Sequence, residues 1–311
     1  HISFGKWGAA SLRGINLVSY PFNDEEMNID VDGAVKLIKK VKPTLALNGR
    51  SVFLFPSPIK EIAEAAHDVG AYLVYDAAHV LGLIAGGQFQ DPLHEGADVM
   101  SGSTHKTLPG PQGGMILSDH KGDTDKDKKF LQYLNFGVFP GVTSSYHLHH
   151  VAAKAIAYAE HLEFGKDYAK QTIKNAQHFA QALHEQGFDV IGESLGFTKS
   201  HQILVSVGQG KGSKAAKTLE KAGIVTNMNT IPGDTDPLNP SGLRLGTPEL
   251  TRIGMKTSEM QDIAEFYKRV LIDKEDPSTV KEDVKAFRSN FQTLHYCYKD
   301  GFDGYEYKTL V

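Results

Sequence analysis

The order of apolar and polar segments in this 311-residue chain predicts an α/β protein: a large domain on a mainly parallel sheet covered by helices, then a smaller C-terminal α/β domain. Three observations carry that expectation. Short apolar runs alternate with helical patterns through the first half. Polar residues cluster just past the strand ends, where sheet topology favours ligand sites. After Pro140 the pattern turns helical before a second set of strands begins. The boundary is expected between 1–163, the large domain, and 164–311, the smaller domain.

Taken in order, residues 32–41 read as a helix ended by Lys42-Pro43. Thr44-Leu45-Ala46-Leu47 is a strand closed by Asn48-Gly49. After Pro58, Ile59, Ile62, Ala63, Ala66 and Val69 recur at helical spacing. Gly70 stops that helix, because glycine tolerates the left-handed conformation found just past helix ends. Residues 71–75 form the next strand, and 98–101 and 114–117 flank a polar loop as two more. Beyond Pro140, helices are expected at 151–162 and 167–186, the second with Ile173, Ala176, Ala180 and Leu183 on one face. The smaller domain holds strands at 188–191, 203–207 and 243–246, and helices at 213–222 and 258–270. A charged helix from Pro277 leads into an aromatic tail.

Composition narrows the function classes. A net charge of −4 and a pI near 6.4, with no dense basic stripe, give no electrostatic case for nucleic acid or an anionic membrane. The expected partner is a small molecule. A single cysteine, Cys297, allows no internal disulfide and fits a reducing cytoplasm. No apolar run approaches the length that crosses a bilayer, and the first residues lack the parts of a signal peptide.

The chemistry centres on Lys106, in Ser103-Thr104-His105-Lys106-Thr107-Leu108-Pro109-Gly110-Pro111, and on Asp76, at the end of the strand thirty residues upstream. Both side chains belong to one edge of a sheet. A lysine so placed can hold an aldehyde cofactor as a Schiff base, and a carboxylate beside a pyridine nitrogen favours its protonated form. That is the geometry a pyridoxal 5'-phosphate site needs. Taken singly, Lys106 also reads as a solvated loop lysine and Asp76 as a turn cap. Four ordered signatures decide between these readings: Asp76-Ala77-Ala78-His79, 104–111, Asn227-Met228-Asn229-Thr230-Ile231-Pro232-Gly233-Asp234, and Ser241-Gly242-Leu243-Arg244-Leu245-Gly246-Thr247-Pro248.

Through these four motifs the chain resembles the serine hydroxymethyltransferase family of fold-type-I pyridoxal-phosphate enzymes, from its first residue to roughly position 272. The resemblance implies a catalytic set of Lys106, Asp76, His79 and His105, with His1, Ser51 and Thr104 also beside the cofactor. Where the family usually has a glycine-rich stretch that reaches a neighbouring subunit's cofactor phosphate, this chain departs from it, and Thr143, Ser144 and Ser145 are expected to supply hydroxyl and backbone donors to that phosphate at a helix start. It implies that Arg244 binds the substrate carboxylate, with Ser51 nearby, and that Asn229 lies near folate. The implied reaction cleaves or forms the Cα–Cβ bond of a β-hydroxy amino acid through a glycine carbanion, with tetrahydrofolate as co-substrate. A homodimer or dimer of dimers is implied as well, because family sites borrow residues across a subunit interface.

Departures from the family pattern keep two alternatives open. Gln112 stands where hydroxymethyltransferases typically have arginine, and Phe4 replaces a second histidine. Together with His147-Leu148-His149-His150 and Gly196-Phe197-Thr198-Lys199-Ser200-His201-Gln202, Gln112 is similar to threonine transaldolases, which do not use folate. The family's catalytic glutamate, tyrosines and phosphate-binding Ser-Gly stretch precede the motif in which this sequence begins, so the second alternative is a non-catalytic, truncated relative. The histidines at 147–150 lack a second ligand cluster with metal-site spacing, and no metal is expected.

Overall fold

The computed structural model describes residues 8–299 and 302–304. A small antiparallel pair, β1 (Phe22–Asn23) and β2 (Asn28–Ile29), leads into α1 (Val31–Val41), whose N-terminus is capped by the Asp30 carboxylate accepting from Gly33 N. The first sheet contains β3 (Leu45–Gly49), β4 (Tyr72–Asp76), β5 (Val99–His105) and β6 (Pro109–Leu117), in that spatial order. The β3–β4 and β4–β5 pairings are parallel and the β5–β6 pairing is antiparallel. The parallel connections are made through α2 (Ile59–Asp68) and α3 (Leu81–Ala85). Phe53, Ile59, Ile62, Leu73, Tyr75 and Leu83 are buried between sheet and helices.

After β6 come α4 (Asp125–Val138) and α5 (Leu148–Glu185), and then the second sheet. Its strands are β7 (Asp189–Val190), β8 (Gln202–Ser206), β9 (Asn227–Asn229) and β10 (Gly242–Gly246), ordered β7-β8-β10-β9 and all antiparallel. It is covered by α6 (Gly212–Lys221), α7 (Pro248–Arg252), α8 (Thr257–Leu271) and α9 (Pro277–Arg288), with β11 (Thr293–Leu294) and β12 (Phe302–Asp303) paired beyond them. A second core around Phe179, Leu183, Ile203, Leu219, Leu243 and Met255 lies under this sheet.

One expectation is overturned outright. The two helices expected at 151–162 and 167–186 are a single 38-residue helix, α5, running unbroken through Gly165. Glycine lowers helix propensity by about 1 kcal/mol, but here it admits a close approach. A Cβ on Gly86, at the end of α3, would fall 2.6 Å from the Gly165 carbonyl oxygen. His161, one turn earlier, hydrogen-bonds the Gly82 carbonyl at 2.9 Å. Packing on α3 therefore outweighs the local propensity. The lysine loop is also tighter than expected, since β5 and β6 extend toward each other until His105 pairs with Pro109. The helix α4 went unread because Phe130 is its one buried residue, which leaves no apolar stripe to detect.

Candidate active site

The C-terminal ends of three neighbouring strands deliver the site. Ser51 follows β3, Asp76 ends β4, and Lys106 follows β5. The register sets Gly49 opposite Asp76 and Asp76 opposite Ser101. Glycine is required at 49, where a Cβ would come 2.5 Å from the Asp76 Cβ. Asp76 Oδ1 accepts from Ala78 N at 2.9 Å, so the strand-end turn fixes the carboxylate. A second close approach seats the lysine loop. The Gly82 N–H donates to Thr107 Oγ1 at 3.0 Å, and that hydroxyl donates to the His79 carbonyl at 3.1 Å. A Cβ on Gly82 would lie 2.1 Å from the Thr107 carbonyl oxygen.

These ends face the second sheet across a cleft of about 580 Å³ whose lining includes His79, Lys106, His201, Gln202, Asn227 and Arg244. Lys106 Nζ lies 3.5 Å from His79 Nε2. Burial lowers the lysine's affinity for a proton; the Asp76 carboxylate acts against that shift, and the Arg244 cation adds to it. Burial, then Lys106 and Arg244, push His79 down to about 4, so its imidazole is neutral near pH 7. His201 is pushed down to about 3 by burial, then by His79 and Arg244. Its buried Nδ1 has no hydrogen-bond partner. Arg244 Nη1 donates to the Ser51 carbonyl at 2.8 Å, which fixes one edge of the guanidinium.

Of the residues expected from the sequence, Lys106, His79 and Arg244 line the cleft, the Asp76 carboxylate acts on the lysine, and Ser51 contributes its carbonyl. Thr104 is buried with its hydroxyl donating to the Pro111 carbonyl, and His105 is exposed with Nδ1 accepting from Gly113 N. Asn229 pairs with Gly242 in the sheet, while Asn227, two residues earlier, lines the cleft. Ser144 and Ser145 are exposed ahead of α5 and are not among the residues that line the cleft. His1 and Phe4 lie outside the described residues. Sequence reasoning assigned no role to His201 or Gln202. The signal was present in the polar run Ser200-His201-Gln202 entering an apolar strand, which obliges buried polar groups to find partners.

The arrangement fits a pyridoxal-type group. Its features are an amine of weakened basicity, a carboxylate whose charge reaches that amine, an arginine with free donors, and an unpartnered imidazole nitrogen on a residue lining the same cleft. Among the described residues no group of three His, Cys, Asp or Glu side chains is arranged to hold a metal ion.

Comparison with known proteins agrees. The model of a family described as serine hydroxymethyltransferase matches residues 4–267. The serine hydroxymethyltransferases of Pyrococcus furiosus and Methanocaldococcus jannaschii are 53% and 52% identical to this chain; the alignments cover 97% and 99% of it and 71% of each relative. The solved structure of L-threonine transaldolase from Pseudomonas fluorescens matches with a TM-score of 0.83 and 32% identity, over 93% of this chain and 65% of the transaldolase.

Proposed function

The chain belongs to the serine hydroxymethyltransferase family, and on that footing we propose that Lys106, Asp76, His79 and Arg244 form the working site of a pyridoxal-phosphate-dependent hydroxymethyltransferase. The observation that supports this most is the Lys106 amine, set 3.5 Å from a neutral histidine and sharing its cleft with Arg244. When bound, pyridoxal phosphate supplies an electron sink for the pair released as a Cα–Cβ bond breaks.

The chain's own residues do the rest. Lys106 is the attachment amine, and its weakened proton affinity favours the nucleophilic free base. Asp76 keeps the proton on the ring nitrogen. Arg244, steadied by the Ser51 carbonyl, offers its remaining N–H groups to the carboxylate of an amino-acid substrate. His79 sets a neutral ring nitrogen 3.5 Å from the amine. The substrate is a β-hydroxy amino acid, with serine and glycine interconverted and tetrahydrofolate as the one-carbon acceptor near 227–229.

With the proposed domain boundary set inside α5, between 163 and 164, the described residues of the two domains meet at the cleft. A homodimer or dimer of dimers is supported by the exposed apolar side chains of Tyr133, Phe136, Phe139, Val142, Tyr146 and Leu148, which flank Ser144 and Ser145 and would carry them toward a partner's cofactor phosphate. The proposed working compartment is the cytoplasm, which the single cysteine fits. Among the described residues no helix is long and apolar enough to cross a membrane.

Borohydride reduction of the cofactor-loaded protein, followed by peptide mass spectrometry, is expected to place the label on Lys106; a label elsewhere removes the assignment. Serine cleavage is expected to accelerate with tetrahydrofolate. The structural likeness to the transaldolase supports a second reading. Threonine would then be the better substrate, an added aldehyde would be incorporated, and folate would have no effect.

A further inference from the structure

We propose that Gln202 is a positioning residue that fixes the tautomer of His79, holding the ring proton on Nε2, the nitrogen that faces Lys106. The proposal rests on the assignment of Lys106 as the attachment amine. The amide of Gln202 cannot be turned over. Its Oε1 accepts from the Phe53 backbone N–H at 2.7 Å, and its Nε2 donates to the Ser51 carbonyl at 3.1 Å. A backbone N–H can only donate and a carbonyl can only accept, so the two ends of the amide are specified independently. Gln202 itself is buried on β8, and its bond from Phe53 N is buried with it.

The nitrogen end of that amide also lies 3.4 Å from His79 Nδ1. A donor directed at Nδ1 requires that nitrogen to carry a lone pair, so the single proton of the neutral ring resides on Nε2. That nitrogen is 3.5 Å from Lys106 Nζ. An N–H directed at the lysine favours the form of the amine that can accept, the free base, over an ammonium that can only donate. The opposite tautomer would offer a lone pair and stabilise the ammonium. The same Ser51 carbonyl takes Arg244 Nη1 at 2.8 Å, so one backbone oxygen ties the histidine's orienting residue to the proposed carboxylate-binding arginine.

The test uses the full chain without cofactor, carrying 15N-labelled histidine, with the His79 signals identified by their loss in H79N. The expected wild-type spectrum has a pyridine-type Nδ1 and a pyrrole-type Nε2. In Q202E the carboxylate still accepts from Phe53 but offers His79 an acceptor, and the pattern is expected to reverse. The rate of pyridoxal phosphate uptake by the apo protein should then fall about tenfold, as expected for one net hydrogen bond changing sides. A protonated Nδ1 in the wild type, or an unchanged pattern in Q202E, overturns the proposal. The wild-type spectrum decides even where the variant does not fold. The tautomer is read without cofactor, so this failure is separable from that of the site assignment. A Lys106 adduct with the wrong tautomer sinks the proposal alone, whereas a missing adduct with the right tautomer sinks only the assignment.

Discussion

The two ends of β5 treat histidine in opposite ways. Beyond its C-terminal end, His79 and His201 share a cleft with Lys106 and Arg244, and burial among cations leaves both rings neutral. Just before its N-terminal end, Asp98 receives His120 Nε2 at 3.1 Å and His67 Nε2 at 3.0 Å, while His120 Nδ1 lies 3.0 Å from Asp127. Burial alone would lower His120, but its bonds to Asp127 and Asp98 outweigh that and raise it. One end holds protons and the other sheds them. The residue type does not separate a working group from a structural staple; the sign of the neighbouring charge does.

Removing Lys106 tests that contrast most severely. Lys106→Ala is expected to lower serine turnover about a thousandfold or more and to abolish the cofactor's bound absorbance, with the denaturation midpoint nearly unchanged. Retained turnover would demote the cleft to the status of the opposite end. Arg244→Lys comes next. Losing the paired donors should raise KM for serine by about tenfold to a hundredfold while kcat changes far less, as steady-state kinetics would show.

Gly82→Ala probes how the lysine is seated. The added methyl meets the Thr107 carbonyl, so a loss of about 1–3 kcal/mol in urea unfolding and incomplete cofactor loading are expected. A variant of wild-type stability would show that the loop can shift freely.

The smallest effects are the most diagnostic, because they differ in sign. The native-state affinities of His79 and His201 for protons are lowered, so between pH 6.5 and about 4 and 3 the unfolded chain binds protons that the native state refuses. Stability therefore falls as pH drops through that window, by at most about 1.4 kcal/mol per pH unit per group. His120 is raised, so its contribution is full below its unfolded value and is lost as pH rises through its native one. Partial exposure and solvent screening keep that contribution small. Unfolding midpoints measured against pH should show His201→Asn flattening the acid limb and His120→Asn the alkaline limb. If both variants flattened the same limb, the contrast would fail.

Legibility in the sequence followed the range of the interaction. The helix from Ile59 was readable because its apolar residues repeat locally and Gly70, with φ of +80°, ends it. Lys106, Asp76 and Arg244 stand in local motifs, and the structure brings Lys106 and Arg244 to one cleft with the Asp76 charge acting on the lysine. Gln202 meets His79 across 123 residues, a separation that no local pattern encodes. The same holds for α5, whose continuity at Gly165 depends on Gly86, far upstream and on another helix.

That unbroken helix also has a mechanical meaning. At 1.5 Å per residue its 38 residues reach about 57 Å. Its early part is fastened to α3 through His161, and its later part to the second core through Tyr168, Thr172 and Asn175, which bond Pro248, Thr247 and Thr251. A movement that parted Lys106 from Arg244 would have to bend this shaft or strip those fastenings. One rigid element shared by both sheets therefore sets the spacing between the Lys106 side of the cleft and the Arg244 side.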